Sequence, residues 1–196
     1  MGQHYEIGYE NGIKVLNSSN VNYSFGSLHK VMQKGLTEIL KLHQPENVLM
    51  LGLGAGSAID ILYRKCTSFP VITAIEYDAD IIRIARDEFD VMRFPGLQLR
   101  ESDAFEWLQS NTAQFDLLID DIFVDDTIPE ACFTVEYLKH ICNALSKDGV
   151  YFRNMMKLGN KEKTAYERIL RSCFKKVEGY PVKPYDNRIY ICSEKI

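Results

Sequence analysis

Three glycines, Gly52, Gly54 and Gly56, follow the apolar run "NVLML" and precede a helical pattern that begins at Ser57. Glycine lets a backbone turn sharply and approach a ligand with no Cβ in the way. A helix starting behind such a turn presents unpaired N–H groups to whatever sits there. Twenty positions after Gly56, Glu76 ends the next apolar run, "VITAIE". A carboxylate in that place can accept both hydrogens of a ribose 2′,3′-diol, through charge-assisted bonds worth about 1.5–3 kcal/mol each. Strand, glycine loop, helix, strand and acid in this order point to a nucleoside site. The competing reading is a strand-to-helix corner that needs small residues, with Glu76 as a surface charge. The dinucleotide pattern G-x-G-x-x-G asks for glycine where this chain has Ser57. Its spacing is G-x-G-x-G, which makes a nicotinamide dinucleotide the lesser reading.

Those residues must be held by elements. "HYEIGYENGIKVLNSS" reads as a β-hairpin about Asn11 and Gly12, a pair that tolerates the positive φ of a tight turn. In "FGSLHKVMQKGLTEILKLH" the apolar residues Leu28, Val31, Met32, Leu36, Ile39 and Leu40 recur at helical spacing. Strands and helices then alternate. The strands are "NVLMLGL", "VITAIE", "LQLRES", "FDLLIDD" and "GVYFRNM". The helices are "SAIDILYRK", "DADIIRIARDEFDV" with an acidic cap near Asp78, "DAFEWLQSN", "FTVEYLKHICNALS" and "KEKTAYERILRSCF". Two strands about the "PYDN" turn end the chain. The expected fold is α/β: a doubly wound, mostly parallel seven-stranded sheet with an antiparallel C-terminal strand, plus an N-terminal hairpin. Ligands of such sheets bind at the carboxyl ends of the strands, near the switch in strand order.

The 196 residues suit one folding unit and carry a net charge of −4, which gives no support to a nucleic-acid partner. No apolar run reaches the ~20 residues of a membrane span, and the first ten residues are polar, unlike a signal peptide. Five cysteines, an odd number with no CxxC pair, argue for reduced thiols rather than a disulfide framework or zinc site. A cytoplasmic protein without a metal is the expectation.

Further motifs carry a resemblance. The glycine spacing resembles the first motif of class I S-adenosylmethionine (SAM)-dependent methyltransferases. "RESDAFEWL" is similar to the superfamily's loop after the third strand, and "FDLLIDDIFVDDTIPEACFTVEYL" and "SFGSLHKVMQKGLTEI" resemble its spermidine synthase-like branch. The resemblance implies a Rossmann-like SAM-binding domain over residues 23–196, with the hairpin of residues 1–22 as an extension. It implies a donor site made by Gly52, Gly54, Ala55, Gly56, Glu76, Tyr77, Asp103, Ala104 and Asp121, with Tyr23, His29 and Gln33 on a segment folded over the donor. Asp103 and Ala104 take the positions that meet adenine. His29 equally suits a half-buried structural place on its helix. Phe105, Trp107, Ile122 and Phe123 are read as core or adenine-flanking residues.

Three departures matter. The branch's aminopropyltransferases carry an aspartate between the last two loop glycines, which holds the amine of decarboxylated SAM. Here Ala55 stands in that place. Intact SAM has a carboxylate at that end, which an aspartate would repel. The Asp-Ser-Ser-Asp-Pro-like stretch is "DDIFVDDTIP" here, with Asp121 on the first aspartate and Asp125 or Asp126 near the second. The branch's N-terminal β-domain is shortened to a hairpin. The resulting expectation is methyl transfer from SAM, leaving S-adenosylhomocysteine (SAH), to a small or cationic acceptor. Asp121 is the expected catalytic base or orienting group, with a helix or loop cap as its competing reading. Asp120, Asp121, Asp125, Asp126 and Glu130 read either as an acidic rim that would draw in the cation or as a solvated acidic loop, and strand alternation turns Asp120 away from Asp121. Aminopropyl transfer and a noncatalytic nucleoside-binding module are the alternatives, and a homodimer is compatible with each.

Overall fold

In the computed structural model, residues 5–18, 22–124, 127–156 and 159–196 are described. Asn11 and Gly12 take positive φ values of 51° and 79° and turn β1 (Tyr5–Glu10) back on β2 (Ile13–Ser18). A short β3 (Asn22–Ser24) pairs antiparallel with β2, so the expected hairpin is an edge of a three-stranded sheet. The boundary drawn at residues 22 and 23 passes through β3.

The main domain alternates as its pattern requires. α1 (Gly26–Leu40) leads to β4 (Asn47–Leu51), α2 (Ser57–Lys65), β5 (Val71–Glu76) and α3 (Ala79–Asp87). β6 (Leu97–Glu101), α4 (Ala104–Ser110), β7 (Phe115–Asp120) and α5 (Val135–Ala144) follow. β8 (Leu145–Met156), α6 (Asn160–Arg171), β9 (Phe174–Val182) and β10 (Asn187–Lys195) complete the chain. α3 and α5 are each at least four residues shorter than their sequence pattern. α3 is stopped by Asp90, which takes a left-handed φ of 48° before a 3-10 turn at Val91–Arg93. The residues before α5 form another 3-10 turn, Glu130–Phe133, and Thr134 caps the helix through its side chain.

The large sheet has the order β6-β5-β4-β7-β8-β10-β9. Its first five strands run parallel, and β10 lies antiparallel to both β8 and β9. Both faces are covered, and alternate residues of β4 show why its run is continuously apolar. Val48 and Met50 face a core shared with α1 and α2, while Leu49 and Leu51 face one shared with α4, α5 and α6. Packing is close at Gly35 of α1, where an added Cβ would lie 2.2 Å from the Phe152 ring. Leu16 of the small sheet joins Ala55, Ile81, Ile84 and Phe89 in a third buried cluster. Lys14 reaches Glu88 as well, so the small sheet is tied to α3 by both apolar and polar contacts.

No helix among the described residues is long and apolar enough to cross a membrane. All five cysteines are free thiols.

Candidate functional site

Strand order reverses between β4 and β7, so the loops leaving them diverge and open a crevice. Gly52 leaves β4 with φ 83°, and a Cβ on it would meet the Asp121 carbonyl oxygen at 2.5 Å. That approach demands glycine. It also locks the glycine loop to the end of β7, because the Asp121 N–H donates to the Leu51 carbonyl at 2.9 Å. The crevice encloses a cavity of about 550 Å³, within the usual range for small-molecule sites. Four carboxylate residues line it: Glu76, Asp78, Asp103 and Asp121. Ile75, Phe105, Ile122 and Phe123 add apolar walls.

Glu76, Asp78 and Asp103 are held by backbone donors. Glu76 accepts from the N–H groups of Leu53 at 2.8 Å, Tyr77 at 2.9 Å and Asp78 at 3.0 Å, tying the glycine loop to the end of β5. Burial pushes its carboxyl above the ordinary range, against the pull of those three bonds. Asp78 caps α3 by accepting from the N–H groups of Asp80 and Ile81, and its Oδ2 also accepts a hydrogen bond from the Tyr5 hydroxyl at 2.6 Å. Asp103 caps α4 through its Oδ1, which accepts from Phe105 at 2.7 Å and Glu106 at 3.1 Å. The capping and cavity-lining roles therefore coexist in the same side chains.

Asp120 and Asp121 face opposite ways, as strand alternation requires. Asp120 is fully buried. It pairs with Arg153, which stands opposite it on β8, and accepts from the hydroxyls of Tyr137 and Tyr151, each at 2.8 Å. Asp121 faces the cavity, and its Oδ1 accepts from Asn154 Nδ2 at 2.9 Å. Desolvation raises the Asp121 pKa to about 7, aided by the negative charges of Asp120 and Glu76 and opposed by Asn154 and Arg153. A carboxylate with that affinity for protons exchanges one readily near neutral pH.

Of the residues expected at the donor site, Gly52, Gly54, Glu76, Tyr77, Asp103, Ala104 and Asp121 line the cavity. Four do not. Gly56 takes a left-handed φ of 87° at the start of α2, packed against Val91. Ala55 turns its methyl group into the cluster with Leu16 and Phe89, so its side chain is 2% exposed and meets core rather than cavity. Gln33 is exposed on α1. His29 lies behind the loop, where its Nδ1 is 2.8 Å from Ser57 Oγ and its ring stacks on Phe25. Burial lowers its pKa, which favours the neutral imidazole. The tie from α1 to α2 is the structural role open to it. The acidic rim is smaller than expected: Asp120 is sealed in the core, and Glu130 is exposed but outside the cavity lining. Asp125, Asp126 and the Tyr23 side chain lie outside what is described.

Residues 29–189 match the spermine/spermidine synthase domain. The chain belongs to that family. Within this family, it is similar to a polyamine aminopropyltransferase of Hydrogenobaculum sp., 28% identical over 116 residues, which cover 55% of this chain and 39% of that relative. One from Neisseria meningitidis is 26% identical over 148 residues, covering 73% of this chain and 54% of the relative. The chain thus spans about half the length of these relatives. Among solved structures, a probable spermidine synthase from Corynebacterium glutamicum has a TM-score of 0.81 at 22% identity, covering 96% of this chain and 76% of that one. Human methyltransferase-like protein 13, in complex with SAH, has a TM-score of 0.71 at 21% identity, covering 86% and 82%. The structural likenesses establish the Rossmann-like fold, and the family match places it in the spermidine synthase branch.

Pattern reading passed over several residues of this family member's site. An arginine and an asparagine stand inside the otherwise apolar strand "GVYFRNM". A strand buried on both faces admits such side chains only where partners await them, and Arg153 and Asn154 find theirs in Asp120 and Asp121. Tyr5, from the N-terminal sheet, and Asp78 and Asn154 also line the cavity.

Proposed function

We propose that this protein alkylates an amine with the group carried on an S-adenosyl sulfonium donor, and that the group is aminopropyl, from decarboxylated SAM. The observation that carries the reading is Asp121, a proton-accepting carboxylate facing an acid-lined cavity at the switch point of a spermidine synthase-family sheet. The residues fit such a donor. Glu76 faces the cavity where a ribose diol would bind, Ile75, Phe105 and Ile122 suit an adenine, and the carboxylates favour a cation.

When bound, decarboxylated SAM supplies a carbon activated by its bond to a positive sulfur. The acceptor amine forms its C–N bond as that C–S bond breaks, the electron pair stays on sulfur, and the surplus ammonium proton passes to Asp121. Asn154 orients the carboxylate for this step. Holding donor and acceptor in line is the main contribution of the site, with a ceiling of about 7–11 kcal/mol.

Methyl transfer from intact SAM is the second reading, and Ala55 favours it. The position that carries an amine-binding aspartate in the aminopropyltransferases offers only a methyl group turned into the core here. Calorimetric titration separates the two. The first reading expects decarboxylated SAM to bind at least tenfold more tightly than SAM, with 1,4-diaminobutane consumed on mixing. Tighter binding of SAM would transfer the assignment to methyl transfer. Absence of binding by either would leave a noncatalytic module.

A further inference from the structure

Two asparagines form a chain that ends on Asp121. Asn187 Nδ2 donates to Asn154 Oδ1 at 3.0 Å, and Asn154 Nδ2 donates to Asp121 Oδ1 at 2.9 Å. Asn154 is fully buried, whereas Asn187 is partly exposed at the first position of β10. Topology explains how a residue 66 positions from Asp121 reaches it. The parallel strands bring their last residues to the cavity edge. β10 runs antiparallel to β8, so it brings its first residue there, with Asn187 opposite Met156.

We propose that Asn187 is a positioning residue for Asp121, acting through the orientation of the Asn154 amide; the catalytic part of this inference rests on the role proposed above for Asp121. An amide has a donor end and an acceptor end of nearly equal size. Asn187 donates to the carbonyl end, which leaves the NH2 end of Asn154 for the carboxylate. Without that donor the amide can turn over and present its oxygen to Asp121. Two acceptors then face each other, an arrangement that favours protonated Asp121. The charged groups around Asp121 are Arg153 on β8, which favours its ionised form, and Asp120 on β7 and Glu76 on β5, which oppose it. Asp120 and Arg153 are paired with each other. The orientation of Asn154 is therefore a sensitive determinant of when Asp121 can accept a proton.

The test is the titration of the Asp121 carboxyl carbon by ¹³C NMR in the full chain, its signal assigned by loss in Asp121→Asn. In Asn187→Ala the midpoint should rise by about 0.5–1 unit, equivalent to three- to tenfold less ionised carboxylate at pH 6. The ascending limb of kcat/KM, measured with decarboxylated SAM and 1,4-diaminobutane, should move by the same amount. The near-isosteric Asn187→Leu gives the same reading if the alanine variant folds poorly. A midpoint unchanged from wild type, with or without a fall in Tm, overturns the proposal and leaves the asparagines as a staple between strands. A wild-type chain inert toward this donor and acceptor would remove the catalytic reading, while the NMR midpoint would still decide whether Asn187 governs Asp121.

Discussion

Neighbouring aspartates at the end of β7 have opposite fates, and one step of the chain separates them. Asp120 gains a cation and two hydroxyl donors in a sealed core, so its charge is fully accommodated. Asp121 accepts from the Asn154 amide and faces the cavity, and its pKa rises to about 7. Activity that needs ionised Asp121 should therefore climb with pH through about 7. Asp121→Asn should lower kcat by ~10²–10⁴ while the donor Kd stays within a few-fold. Stability follows the opposite course. The folded chain holds this proton up to about pH 7, whereas the ordinary carboxyl value is 3.8. The resulting stabilisation is complete below about pH 4 and lost as pH rises through 7. The asparagine variant, with nothing to ionise, should gain on wild type by on the order of 2 kcal/mol between pH 5 and 8. Denaturation curves at the two pH values read this directly, and a stability difference that ignores pH would contradict it.

Among the elements, α1 shows how a helix can be placed by one small residue. Gly35 has no unusual φ, and alanine would ordinarily improve a helix by about 0.8–1 kcal/mol. Here the new methyl group would collide with Phe152 on β8 and Ile189 on β10. Gly35→Ala should thus destabilise the chain by about 1–3 kcal/mol, reported as a fall in Tm. A rise in Tm would mean that helix propensity outweighs packing. The elements also explain which parts of the site pattern could reveal. The glycine loop, Glu76 and the Asp78 cap were legible because strand ends and helix starts have local signatures. Gly56 was legible as a glycine but not as a helix cap, since only its backbone φ and the nearby Val91 assign that role. His29 was ambiguous for a related reason: its partner Ser57 is 28 positions away.

On the scale of the whole molecule, the small N-terminal sheet is part of the cavity wall rather than an appendage. Tyr5 reaches Asp78 at the cavity, and Leu16 covers Ala55 behind the glycine loop. Docking of this sheet and the shape of the donor site should be coupled. Leu16→Ala should cost about 2–5 kcal/mol of stability and weaken donor binding several-fold, although Leu16 does not line the cavity. Calorimetry at a temperature where the variant remains folded measures the second effect; an unchanged Kd would show that the sheet adds stability alone.

Alternation of apolar strands with amphipathic helices by itself determined the doubly wound sheet, and the G-x-G-x-G loop with Glu76 located the crevice. These are repeats of 2 and 3.6 residues and short-range turn chemistry, written locally in the chain. Tertiary structure alone decided which acid is sealed and which faces the cavity, why Ala55 faces core, and that Asn187 reaches Asp121 through Asn154. Such facts depend on which strands become neighbours and in what register. Desolvation and hydrogen bonding, the forces that set a buried carboxylate's affinity for protons, arise only after distant segments have come together.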